Sequence, residues 1–415
     1  MAAAHVIFLF SGLVLLAILI QPLSQRIRLP FTATLVIAGF VVSELLVSRG
    51  VDTGISAGNF HTLVFYVFLP VLIFESAYSI DGRLLFKNLL PILFLAIPLM
   101  LLSTLVTAVL LYYGIGHPQG FPWIAALLTG ALLSATDPVA VVAICRQLGV
   151  PERLVLLLEG ESLFDDATAI VVFSVFIAIA TQDFGPMLLA NGGLFFLRVF
   201  FGGILTGAVI GAGFLLVTRL ADTAVARAAA SIICAYIAFA VAESVLHVSG
   251  VMAVLVAGLL LGHAVRSRGR KGDDFTGRLW EFNAWVANAL VFLLMGITIT
   301  TGMFTERWLA MLIGIAAVII ARAVGIFGIL PLLPAGRAAE SLPYAQRSIL
   351  FWGGLRGAVT LALALSLPTS LDYWWTVQSI AFGVVLFTPV SYTHLTLPTN
   401  RVAGGGGGWG VGGGG

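Results

Sequence analysis

The stretch EGESLFDDATAIVVF, residues 159–173, places four carboxylates, Glu159, Glu161, Asp165 and Asp166, within eight residues and then runs on as an apolar segment. Its surroundings decide how it is read. The chain has 415 residues, of which 60% are apolar and 10% charged, and windows of about 20 apolar residues, each long enough to cross a bilayer, recur along it. The acids therefore lie on a membrane-crossing helix that starts near Pro151. At a rise of about 1.5 Å per residue, Asp165 and Asp166 sit roughly 20 Å inward, near or past the middle of an apolar slab about 30 Å thick. An ionisable group at that depth costs about 2.5–3.5 kcal/mol and demands a partner, a cavity or a function.

Windows separated by Gly, Pro or charge predict helices near residues 4–22, 30–48, 60–78, 89–113, 122–146, 152–181, 194–218, 225–246, 249–265, 279–301, 307–331, 344–367 and 373–390. The expected fold is an all-α polytopic membrane protein with thirteen spans. The first window lacks a basic leader and a small-residue cleavage site, so it is read as a retained helix. Loops after odd-numbered spans hold fifteen Lys and Arg, against Arg49 and Arg307 after even-numbered ones. Because basic residues collect in cytoplasmic loops, the N-terminus is expected outside and the end of span 13 in the cytoplasm.

Two spans carry interruptions. In SATDPVAV (134–141), Pro138 lacks an amide hydrogen and pushes Asp137 out of helical geometry, so span 5 should open around Ser134–Asp137. In FWGGLRGAVT (351–360), Gly353, Gly354 and Gly357 surround Arg356 and weaken span 12. Spans 5 and 12 are seven apart, and an odd offset reverses their direction in the membrane. That predicts two inverted six-span repeats, 1–6 and 8–13, and a binding site where the breaks meet.

At about 100° per residue, Glu159, Ser162 and Asp166 share one face of span 6, while Glu161 and Asp165 share another. One face suits a mobile ion and the other a fixed cation. No lysine lies within a span, leaving Arg198, Arg322 and Arg356 as intramembrane cations; Arg356, in the weakened segment, is the best-placed partner for Glu161. Glu75 in FLPVLIFESAY and Thr136 beside Asp137 add oxygen donors on other spans. Carboxylates, hydroxyls and opened backbone suit a hard cation, with Asp166, Asp137 and Glu75 as the metal-binding carboxylates. Clustered carboxylates in low dielectric also bind protons more readily than they do in water.

Other classes fit less well. Cys145 and Cys234 fall inside spans and read as small buried residues, the histidines are scattered, and no Cys/His metal spacing occurs. The net charge of +2 reflects the inward arginine bias and gives no sign of nucleic acid. An intramembrane aspartyl protease would need a GxGD helix motif, which is absent; a cation channel would need no moving core. No enzyme activity and no cofactor are expected. Residues 391–415, SYTHLTLPTNRVAGGGGGWGVGGGG, break the composition and are expected to form a non-native or disordered tail that interrupts span 13, resembling translated adapter sequence. On that reading the natural chain continues differently beyond Val390.

The motifs LPVLIFESA (69–77), ATDPVAVV (135–142), EGESLFDDATAIVVF (159–173), VLVAGLLLG (254–262) and GGLRGAVTLALAL (353–365) together resemble the monovalent cation:proton antiporter-1 family, the sodium/proton antiporters of the NhaP and NHE type. The resemblance covers nearly all of residues 5–390. It implies a homodimer in the cell membrane, exchanging sodium or lithium for protons and serving pH homeostasis, with a potassium-selective exchanger or a channel as the alternative. It also implies a mobile core of residues 83–183 and 304–390 moving against a dimerisation part, residues 1–82 and 184–303. By motif position Asp166 matches the essential ion- and proton-binding aspartate, Asp137 and Thr136 the span-5 contributors, Ser162 and Glu75 further ligands, and Glu161 with Arg356 the core ion pair. The family usually has Asn where this chain has Asp165. Asp165 can stay protonated and act as that amide would, giving electroneutral exchange, or ionise beside a cation such as Arg322 and carry a second proton.

Overall fold

The computed structural model describes residues 3–27, 29–48, 63–115, 121–181, 186–267, 274–332, 343–354 and 356–403. Every regular element among them is helical. In chain order they are α1 (Ala3–Ile27), α2 (Phe31–Ser48), α3 (Val64–Ser79), α4 (Leu89–Gly114), the halves α5a (Trp123–Leu132) and α5b (Val139–Gln147), and α6 (Glu152–Ala180). There follow α7 (Pro186–Leu220), α8 (Ala224–Val245), α9 (Gly250–Ser267), α10 (Asp274–Thr298), α11 (Thr301–Ile329), the halves α12a (Tyr344–Gly353) and α12b (Ala358–Leu365), and α13 (Trp374–Ala403). Among the described residues nine helices are long and apolar enough to cross a membrane; Phe31–Leu45, Val64–Ser79, Trp123–Leu132 and Trp374–Thr388 are shorter apolar helices. Large apolar side chains such as Leu15 and Leu19 on α1, Leu197 and Leu205 on α7, and Leu309 and Leu312 on α11 are exposed on the outer surface, as hydrocarbon surroundings allow.

Two expectations change. The connection after α3 holds a short helix, Gly82–Lys87, because Asp81 accepts from the amides of Arg83 and Leu84 at 2.8 and 3.3 Å and caps its start. The last helix does not stop at Val390. It runs through the SYTHLTLPTN segment to Ala403, although Pro389 and Pro398 each remove a backbone donor from it; ahead of them Thr388 Oγ1 bonds back to Val384 O at 2.9 Å. Residues 404–415 lie outside the described residues.

Packing separates the helices into two groups. In one, α2 lies against α10 with the backbones touching: a Cβ on Gly39 would strike Leu293 O, and one on Gly296 would strike Val36 O. Here α3 packs on α9 and α10, with Phe74 stacked on Trp280 at 4.4 Å between ring centroids, and α7 packs on α8 and α9. Trp280 Nε1 donates to Ser231 Oγ at 2.9 Å, tying α10 to α8. In the other group α4 packs on α5a and α11, α11 on α13, and α6 on α5a. The acidic helix α6 also touches α3, α7 and α9, and α12b touches α10. The seam between the groups therefore runs along the carboxylates.

Candidate functional site

The helix breaks build the site. α5 is open from Leu133 to Pro138, and α12 between Gly353 and Ala358, at the proline and the glycines that cannot sustain the ladder. The two openings cross: Thr360 Oγ1 donates to Ala135 O at 3.4 Å, and a Cβ on Gly357 would collide with the Asp137 carboxylate. Charges follow the helix dipoles. Asp137 stands at the start of α5b, its Oδ1 accepting from the Val139 amide at 3.2 Å, and adjoins the start of α12b. At the end of α12a, Arg322 Nη2 donates to Leu350 O and Arg356 Nη1 to Gly354 O, both at 2.9 Å. An anion at helix starts and cations at a helix end offset the partial charges there.

Glu75, Thr136, Asp137, Ser162 and Asp166 line one cavity of about 410 Å³. Asp166 Oδ1 has no hydrogen-bond partner among the described residues. Ser162 Oγ donates to Thr136 O at 2.5 Å, and Thr136 Oγ1 donates to Asp165 Oδ2 at 3.3 Å. Both hydroxyl hydrogens are thus committed elsewhere, leaving oxygen lone pairs for a cation. Glu75 Oε1 accepts from Ser79 Oγ at 2.8 Å and has Glu281 and Glu159 as its charged neighbours, whereas those of Asp166 are Asp137, Asp165 and Arg356. Glu75 and Asp166 line the same cavity from α3 and α6, and no three His, Cys, Asp or Glu among the described residues are grouped closely enough to hold a resident metal ion.

α6 does present two acidic faces. Glu159, Ser162 and Asp166 line the cavity, while Glu161 and Asp165, 1% and 2% exposed, do not. The partner of Glu161 differs from expectation: Arg322 Nη1, from α11, donates to Glu161 Oε1 in a buried ion pair, in place of Arg356. The opening of α12 turns the Arg356 guanidinium back onto Gly354, two residues earlier, so the reach to Glu161 comes from α11. Helical pitch gives the faces of α6 but not which neighbour covers each. Arg198 is exposed on α7.

Arg146, Glu281, Asn288 and Thr360 also line the cavity and were not singled out in the sequence. Asn288, an amide within the apolar part of α10, carried the same signal as the acids. Arg146 pairs with Glu159 at 2.5 Å, with side chains 66% and 29% exposed. Cys145 and Cys234 are buried and free.

Two interrupted helices crossing beside buried carboxylates, in an all-helical chain with membrane-length apolar helices, define a secondary transporter. Comparison with known proteins narrows the class. Residues 12–397 match the family described as sodium/hydrogen exchanger, transmembrane. The chain is 36% identical over 379 residues to the Na(+)/H(+) antiporter ApNhaP of Aphanothece halophytica, covering 90% of this chain and 69% of that one. It is 34% identical over 377 residues to the low-affinity Na(+)/H(+) antiporter NhaS1 of Synechocystis, covering 87% and 67%. The structure of the sodium proton antiporter MjNhaP1 from Methanocaldococcus jannaschii at pH 8 shares the fold, with a TM-score of 0.78 over 95% of this chain and all of that chain at 19% identity. The chain belongs to the sodium/hydrogen exchanger family.

Proposed function

We propose that this chain is a secondary antiporter exchanging Na+, and Li+ as a congener, for protons by alternating access at Asp166. The observation that carries the proposal is a cavity reaching a carboxylate with an unpartnered oxygen, Asp166, at the crossing of two broken helices. A cation arriving there meets hard oxygens from Asp166, Asp137, Thr136 and Ser162. A proton on Asp166 removes the charge that holds the ion, so ion and proton exclude one another and one site serves both fluxes. Residues 83–183 and 304–390 form the moving core, and residues 1–82 and 184–303 the fixed part. A core that crosses only when loaded couples the fluxes with no further signal.

Ser79, Arg146 and Glu281 on the cavity wall lie near helix ends that lead into the arginine-bearing loops, which supports a cytoplasmic opening, an outside N-terminus and thirteen spans. The working unit is a homodimer in the cell membrane, surrounded by lipid, with no cofactor, nucleic acid or enzymatic step, and it serves sodium and pH homeostasis. The sodium antiporter names of the relatives favour Na+ over the potassium and channel alternatives. The test is cation-driven recovery of a pH dye in proteoliposomes given Na+, Li+ or K+. Na+ and Li+ are expected to drive recovery and K+ to drive little; a K+ response matching that of Na+ overturns the assignment.

A further inference from the structure

A second, smaller chamber adjoins the α5 break at Ser134. It measures about 10 Å³ and is lined by Leu99, Met100 and Ser103 of α4, Ser134 and Arg356 of the two breaks, Asp165 of α6, and Ala321, Arg322 and Gly325 of α11. Space of roughly 10–15 Å³ holds one water when polar groups surround it. Two buried lining groups each keep one polar atom without a hydrogen-bond partner among the described residues: Asp165 Oδ1 and Arg356 Nε, on side chains of residues 2% and 4% exposed. A carboxylate oxygen and a guanidinium N–H left so in an apolar interior each carry a desolvation cost that a shared water relieves.

We propose that the chamber binds one resident water bridging Arg356 Nε–H and Asp165 Oδ1. Every lining residue comes from α4, the α5 break, α6, α11 or the α12 break, and none from α1–α3 or α7–α10. The transport cavity, by contrast, takes Glu75 from α3 and Glu281 and Asn288 from α10. The water therefore travels inside one helix group. Its effect reaches the ion through Asp165. With Oδ1 held by the water, Oδ2 stays turned to accept from Thr136 Oγ1, which keeps the Thr136 oxygen, not its hydrogen, toward the cation. Asp165 is thus a positioning residue for Thr136.

The direct test is a density map of the full chain in lipid nanodiscs at a resolution that shows ordered water. A density within hydrogen-bond distance of both Asp165 Oδ1 and Arg356 Nε is expected; a dry chamber, or direct contact of the two side chains, overturns the site. The second test rests on the exchange reading above. Ser103→Leu fills the chamber and is expected to raise the KM for Na+ at least fivefold with kcat changed less than twofold, while Ser103→Ala, which adds no volume, raises KM less than twofold. Equal KM values for the two variants overturn the positioning role. If Ser103→Leu does not fold, the wild-type map decides alone, and if wild type exchanges no cation, the exchange reading fails while the map still decides the water.

Discussion

At the scale of single residues, the charges of α6 differ in what their loss does. Glu161 and Arg322 are buried together, so Glu161→Gln or Arg322→Gln leaves one charge unpaired in an apolar interior, costing about 3–5 kcal/mol, whereas removing both is much milder. The melting temperature in detergent is expected to fall sharply in each single variant and to recover in part in the double variant; additive losses contradict the pairing. Arg146→Gln, which breaks an exposed pair, is expected to cost less than ~1 kcal/mol. The sequence showed the depth of Asp165 and Asp166 and the two faces of α6, because both follow from helical rise and pitch. It did not show that Arg322 covers Glu161. That depends on how α11 and the opened α12 pack, which no periodicity within α6 encodes.

At the scale of elements, the breaks carry the geometry. Both were readable from Pro138 and the glycines around Arg356, since a missing amide and a missing Cβ act locally whatever the tertiary context. Their crossing was readable only as an inference from the seven-span offset. Gly357 makes the crossing possible by leaving room for Asp137. Gly357→Ala is expected to force the halves apart, at about 1–3 kcal/mol of overpacking, and to lower the exchange rate roughly tenfold. Gly277→Ala, whose Cβ would meet nothing within 4 Å, is the control, expected to exchange at the wild-type rate in the same vesicle assay. Exchange by Gly357→Ala at the control rate contradicts close crossing. Element ends are less legible: the Asp81 cap lies where composition reads as a loop, and the compositional change at Ser391, flanked by Pro389 and Pro398, reads as a helix end although the helix runs on to Ala403.

At the scale of the whole molecule, the cavity is lined from both helix groups, while Asp137 and Asp166, which line it, belong to one of them. That asymmetry suits a site that moves with one group past the other. Apolar windows and basic loops made the membrane class plain because hydrocarbon imposes a simple rule on every span. The division into groups was not written in any one window, since it depends on close backbone contacts such as Gly39 against Gly296. The central claim is that one carboxylate, Asp166, holds either the cation or the proton. It is tested most directly by adding Na+ to the purified protein in weakly buffered detergent solution and measuring the protons released. Wild type is expected to release protons in a saturable way as Na+ binds, and Asp166→Asn to release none while keeping its fold; release by Asp166→Asn equal to that of wild type would contradict a shared site.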